Sequence, residues 1–294
     1  MKRILCLMLA LVMLLSLTAC GGGTASENKE NNNGGASQQD PAPQDPDDDE
    51  KDDREETYQQ VLKLLGEKNF EEAYKLLQKI QGYKDTLTML TKFVWKPLKA
   101  VHSNDAGADL TTYYTYTYDD HGYAIASTYE SDVISNSYTY ENVYDDLGRI
   151  KSVTSNSSVG YQTIINYIYN EKGQLSCLSS NYNGSYVQDI FYYYNDLGQV
   201  IREEVPDTES VTEYTYDEKG NVTSMDGNMG TSTYVNIYDD HGRLVKYVRT
   251  DGEFSTTFTM TYDKNGTLVK EVSLGEDGFA DTWEYSDFKL FYQG

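Results

Sequence analysis

From residue 57 the apolar positions recur at helical intervals. Tyr58, Val61, Leu62 and Leu65 make one stripe, opened by Thr57-Tyr-Gln-Gln, which fits a capping box, and ended by Gly66. Phe70, Ala73, Tyr74, Leu77 and Ile80 make a second, capped by Asn69 and ended by Gly82. A third short helix is predicted from Asp85 through Leu87, Leu90 and Phe93, stopping before Pro97, which cannot continue it. Beyond residue 113 the period drops to two. Tyr114, Tyr116 and Tyr118 alternate with threonine, as do Phe258, Met260 and Tyr262, and Ile165, Tyr167 and Tyr169 keep the same spacing. Such alternation marks a strand with one buried face.

These strands end on a recurring motif. Tyr118, Tyr144, Tyr169, Tyr194, Tyr216, Tyr238 and Tyr262 are each followed by Asp or Asn and, four residues on, by a glycine: Gly122, Gly148, Gly173, Gly198, Gly220, Gly242 and Gly266. Tyr285 opens an eighth copy that has lost the glycine. Successive tyrosines lie 22 to 26 residues apart, the kind of period that repeat architectures show. The Asp or Asn can bond back to turn amides, and the glycine fits the left-handed position of a type I turn with a G1 bulge. Two residues past it an apolar residue (Ala124, Ile150, Leu175, Val200, Val222, Leu244 or Leu268) starts the returning strand. Each copy therefore reads as one hairpin with its tyrosine as anchor. A lone hairpin is barely stable in water, so the copies are expected to stack side by side.

Tyr144-Asp-Asp-Leu-Gly-Arg-Ile150 and Tyr238-Asp-Asp-His-Gly-Arg-Leu244 resemble the YD repeat of the RHS family, over about residues 113 to 290. The resemblance implies a spiralling antiparallel sheet, which in large members forms a shell around a toxic domain and in some is implicated in carbohydrate binding or cell contact. Seven or eight hairpins are too few to enclose a domain, and the self-cleaving core motif and C-terminal toxin of those members are missing, so the shell role is not expected here. The fold class expected is mainly β: an antiparallel curled or spiral sheet of tandem hairpins, about sixteen strands, preceded by a small α-helical hairpin module. Accumulating twist would curl it into a spiral or partly closed barrel, the degenerate eighth copy capping the far end and the helices covering the near one. The two helices resemble one tetratricopeptide-type hairpin, too little for a peptide-binding solenoid.

The first residues read as a targeting segment. Lys2 and Arg3, an apolar run over residues 4 to 15 and small residues before Cys20 describe a secretory signal, too short to span a bilayer. Leu17-Thr-Ala-Cys20 followed by Gly-Gly resembles the bacterial lipobox, which implies a diacylglyceryl modification at Cys20 and an extracytoplasmic, lipid-anchored protein; an ordinary signal peptide with an incidental cysteine is the alternative. Two acyl chains give a stable anchor without a transmembrane helix. Residues 20 to 56 lack an apolar period and end in a run of acid, so they read as an extended acidic tether. The division expected is thus signal peptide 1–19, tether 20–56, helical module 57–96 and β domain 97–294. The chain carries a net charge of -23, which argues against nucleic acid and against an anionic membrane surface as partner.

Candidate chemistry is sparse. With Cys6 in the signal and Cys20 lipidated, Cys177 stands alone, so neither a disulfide nor a cysteine metal cluster is expected. His121 and His241 occupy equivalent turn positions, and no nucleophile elbow, zinc-protease helix or phosphate loop occurs, so an enzyme is not expected. Calcium is a minority idea at Asp263, Asn265 and Gly266 and at Glu276, Asp277 and Asp281; hairpin turns explain the same residues better. Tyrosine, 28 residues in all, is the remaining clue. Tyr113, Tyr123, Tyr129, Tyr193 and Tyr247 fall off the inward register and are candidate ligand contacts by stacking, unless both sheet faces are covered. The function expected is a non-catalytic surface module for adhesion or ligand binding, its partner a cell-wall or host glycan or another surface protein. A structural spacer of the envelope is the alternative, and an undetected wall-polymer hydrolase a more distant one.

Overall fold

The computed structural model describes residues 47 to 105 and 110 to 293. The expected signal peptide, Cys20 and the tether up to residue 46 lie outside them. The described chain forms two compact units, one holding the helices with the last residues from Leu290 onward, the other spanning Trp95–Lys289.

In the helical unit, α1 (Asp47–Gly66), α2 (Phe70–Lys79) and α3 (Thr86–Leu90) surround a core of Val61, Leu77 and Met89. Helix α1 begins at Asp47, ahead of Thr57, where the pattern starts it. Acid at a helix N-terminus is favoured by the macrodipole, and Glu55 is bound by Lys84 at 2.6 Å and by the Tyr83 hydroxyl at 2.5 Å. The bond from Lys84, then that from Tyr83, hold the Glu55 carboxyl down at about 2. Tyr58 likewise donates to Asp85 at 2.7 Å. The ring of Phe93 lies 5.2 Å from that of Tyr74 and 4.9 Å from that of Tyr292, so the end of the chain belongs to this core.

The second unit is built on sixteen antiparallel strands, β1 (Phe93–Asn104), β2 (Leu110–Tyr118), β3 (Ala124–Glu130), β4 (Ser135–Tyr144), β5 (Ile150–Ser157), β6 (Gln162–Tyr169), β7 (Leu175–Tyr182), β8 (Tyr186–Tyr194), β9 (Val200–Val205), β10 (Ser210–Tyr216), β11 (Val222–Gly227), β12 (Gly230–Tyr238), β13 (Leu244–Asp251), β14 (Phe254–Tyr262), β15 (Leu268–Gly275) and β16 (Ala280–Tyr292). Each pairs with the next in sequence, and β16 pairs with β1, so the sheet is a closed barrel. Mainly β is the fold class found; the open spiral is not. An open sheet leaves two edges of unpaired amides and carbonyls, and closure removes both.

Closure depends on a strand absent from the expected set. Phe93 and Pro97, read as the end of a helix and its stop, lie in β1. Pro97 is tolerated because the ladder to β2 begins only at Lys99, paired with Thr115. Strand β1, from the other end of the sequence, takes the place of a returning strand beside the eighth copy. It therefore closes the ring where a terminal cap was expected. At the seam Lys99 meets Asp287 at 2.6 Å, and the Asp105 carboxylate accepts the Ala280 amide at 2.6 Å. His102 bonds Asp281 at 3.1 Å and stacks on Trp283 at 4.5 Å.

The outer face is mixed. Outward Thr115, Thr117, Thr139, Glu141, Glu213, Thr215, Thr233, Thr259, Thr261 and Glu284 are polar and exposed, and outward Val143, Ile168, Val235 and Ile237 are apolar and exposed. Inward positions carry tyrosine and aliphatic residues, with Tyr192, Leu178, Ile150 and Met260 buried. A register shift falls just before each anchor tyrosine from Tyr118 to Tyr262, so that Tyr144, for example, pairs with Ile150 two residues beyond the turn glycine. Cys177 is buried between its cross-strand neighbours Ile168 and Phe191, and burial pushes its thiol up.

Candidate functional site

The repeated turn is built the same way seven times. The Asp or Asn after each anchor tyrosine accepts, on one oxygen, the amides two and four residues further on; Asp145, for instance, takes those of Leu147 and Arg149 at 3.0 and 2.9 Å. The seven motif glycines, Gly122, Gly148, Gly173, Gly198, Gly220, Gly242 and Gly266, all have φ between 75° and 84°, a region open to glycine and strained for other residues.

The anchor hydroxyls are occupied by the fold. Tyr169 donates to the Ile150 carbonyl and Tyr194 to that of Leu175, both at 2.7 Å, and Tyr262 to that of Leu244 at 2.8 Å. Tyr216 does the same to Val200, and Tyr118 reaches Pro97 of β1, which confirms β1 as a surrogate returning strand. Tyr144 and Tyr238 differ, because Asn142 and Asn236, two residues earlier, have taken the carbonyls of Ala124 and Val222 at 3.0 Å. Their hydroxyls turn instead to the carboxylates of Asp119 and Asp217 in the preceding turns. Burial pushes the Asp217 carboxyl up, but the bonds from Tyr238, the Asn221 amide and Asn236 together outweigh it and hold the group below its usual range. Burial, then the bond to Asp217, push the Tyr238 hydroxyl up to about 12.

The five off-register tyrosines do not converge. Tyr113 and Tyr193 point outward and are exposed, the latter donating to Glu204 at 2.8 Å. Tyr123 is half-buried with its ring 5.6 Å from Tyr144. Tyr129 lies between Tyr114 and Tyr138, and Tyr247 stacks on Phe258 at 4.4 Å, so both belong to the inner face. The bulge after each turn resets the parity of the returning strand, which a simple count from the anchor does not register. Of the calcium candidates, Asp263 accepts the amides of Asn265 and Thr267, Asp277 accepts that of Phe279, and Asp281 meets His102 at the seam. Among the described residues no three His, Cys, Asp or Glu side chains gather as a metal site requires.

A cleft of about 480 Å³ opens at the other end of the hairpins, lined by Asn156, Ser157, Gly160, Tyr161, Gln162 and Asn183. The β5–β6 turn makes it: the Ser157 amide donates to the Tyr161 carbonyl at 2.8 Å, and Gly160 takes φ +91°. Asn183, at φ +52°, a conformation asparagine tolerates better than most residues, locks the neighbouring hairpin to it by accepting the Gln162 amide at 2.7 Å. The Gln162 side chain donates to Asn156 at 2.9 Å. Tyr161 is left 65% exposed and lines the cleft together with Asn156, Gln162 and Asn183. Nothing in the anchor period points to these residues; the signal available was a run of Asn, Ser, Gly, Tyr and Gln on one loop.

No protein-family model and no curated protein matches the chain. Among solved structures it is similar to a porin-like protein from Bacteroides uniformis, at 15% identity and a TM-score of 0.45, over 66% of this chain and 96% of that one. It is also similar to TcdB2-TccC3 without its hypervariable C-terminal region, at 15% identity and a TM-score of 0.27, and to TcdB2-TccC3, at 15% and 0.21. The matches cover 62% and 69% of this chain and 12% and 17% of those. At these scores none of the three carries an argument about what this chain does.

Proposed function

We propose that this is a non-catalytic, lipid-anchored surface protein whose barrel binds a glycan in the cleft around Tyr161. The observation that supports the reading most directly is a cleft lined by the exposed Tyr161 together with Asn156, Gln162 and Asn183. A sugar offers a C–H face that stacks on an aromatic ring, and hydroxyls that both donate and accept. Carboxamides match them because each carries both donors and an acceptor. None of the residues lining the cleft is a carboxylate, whereas a glycosidase needs two facing one sugar, so binding fits the lining better than hydrolysis. The likeness of the tyrosine motifs to YD repeats, a family partly implicated in carbohydrate binding or cell contact, agrees with it. The occupied anchor hydroxyls favour the second reading, a structural spacer, for the rest of the barrel.

The test is an array of neutral wall and host polysaccharides probed with the wild-type chain and with Tyr161→Ala. Because Tyr161 is exposed, its replacement should leave thermal unfolding unchanged while weakening glycan binding about tenfold or more. Binding equal to wild type would remove the cleft from consideration and leave the spacer.

A further inference from the structure

The inner face of the barrel carries carboxylates at one repeat position. The residue five beyond each turn glycine faces inward on the returning strand. In five copies it is Ser127, Val153, Leu178, Met225 or Tyr247, residues suited to an interior. In the fourth and seventh copies it is Glu203 and Glu271.

Glu203 sits among tyrosines. It is paired across the ladder with Tyr192 on β8 and Thr212 on β10, and the Tyr214 hydroxyl donates to it. The anchors Tyr194 and Tyr216 are close enough for the Glu203 charge to act on their hydroxyls. Arg202, its neighbour in sequence, projects to the opposite face, where it meets Glu204 and, at 3.8 Å, Glu213. Among the described residues no Lys, Arg or His forms an ion pair with Glu203. Glu271 repeats the arrangement, with Met260 and Trp283 as ladder partners and Tyr247, Tyr262 and Tyr285 within reach of its charge.

A carboxylate taken partly out of water beside aromatic residues is destabilised in its charged form, and burial accordingly pushes both carboxyls up. The group that relieves this is a cation. Tyrosine and tryptophan faces carry negative charge density and attract cations, most effectively organic ones whose skirt of methyl or methylene groups shares the apolar surroundings. A metal ion is a poorer match, because a calcium-type ion asks for six or more oxygens and each site offers one carboxylate with neighbouring hydroxyls. We propose that Glu203 and Glu271, each in its aromatic surround, are binding sites for an alkylated ammonium group. The sites are independent of the cleft at Tyr161.

Isothermal titration of the full chain with tetramethylammonium chloride, at neutral pH and against sodium chloride of matched ionic strength, tests this directly. Saturable binding is expected, and matched sodium should not reproduce it. Glu203→Gln keeps the shape and removes the charge, so it should cut the binding stoichiometry or weaken the affinity about tenfold; the double variant with Glu271→Gln should abolish saturation. Tyr214→Phe, which keeps the ring, should retain most of the binding. Thermal unfolding of each variant establishes that it is folded. No saturable binding by the wild-type chain, or binding unchanged in a folded double variant, would overturn the assignment.

Discussion

Each copy of the motif must satisfy a tyrosine hydroxyl on a half-buried face, and the chain has two ways of doing it. Where the residue two before the anchor is apolar or aromatic, the hydroxyl takes the carbonyl of the preceding hairpin, as Tyr194 does with Leu175. Where that residue is Asn236, the carboxamide takes the carbonyl and the Tyr238 hydroxyl goes to Asp217. The two arrangements should respond differently to pH. A carboxyl held below its usual value contributes stability that is present above the unfolded pKa, about 3.9 for Asp, and is lost as pH falls through the folded one. Tyr238→Phe removes one of the bonds that hold Asp217 down. It should therefore destabilise by about 1 kcal/mol at pH 7, and the gap from wild type should close as pH falls below about 4. Tyr194→Phe, which loses a bond to a neutral carbonyl, should show a gap that does not change over that range. Chemical denaturation of both variants at pH 7 and at low pH measures this; parallel behaviour would count against the role given to Asp217. The turn glycines and anchor positions were legible in the sequence because backbone chirality and period two leave few choices there. Choosing between the two arrangements required Asn142 and Asn236 to be read together with the preceding turn. Glu203 and Glu271 could have been noticed as charges at a position otherwise held by interior residues.

The hairpins were legible as elements because each announces itself locally through its turn. Strand β1 was not, since it has no turn motif at its start, contains Pro97 and follows a helical stripe. Its assignment comes from partners that lie far along the chain, as in the contact of His102 with Asp281, 179 residues away. The start of α1 was obscured in a similar way by an acidic run that reads equally as tether. Ending the chain before Ala280 removes β16 and leaves β1 and β15 each with one unpaired edge. Such edges are templates for pairing with another chain, so the truncated protein should self-associate, as read by light scattering across a concentration series. A truncated chain that stays monomeric would mean that these edges are protected by something other than pairing.

For the whole molecule, the outer face decides how the barrel can meet a membrane. Exposed Val143, Ile168, Val235 and Ile237 on that face are interspersed with exposed Glu141, Lys151, Glu213 and Glu284, and charge facing lipid would cost about 2 to 4 kcal/mol for a lysine near the bilayer centre. Among the described residues no helix is long and apolar enough to cross a membrane either. Retention at the membrane should then rest on Cys20. Cys20→Ala should release the protein into the medium or leave an unprocessed precursor, and a correctly cleaved variant that stayed with the membrane fraction would refute the lipid anchor. The seam between β1 and β16 also shapes how the chain reaches its final state. Fifteen of the ladder's pairings join strands consecutive in sequence and can zip up one after another as the polypeptide emerges. The last pairing joins opposite ends of the sequence and must wait for the final strand. Loop closure over that separation is slow compared with hairpin formation. Until it happens, the growing sheet is an open ribbon with two unsatisfied margins, and that interval is when the chain most needs a chaperone.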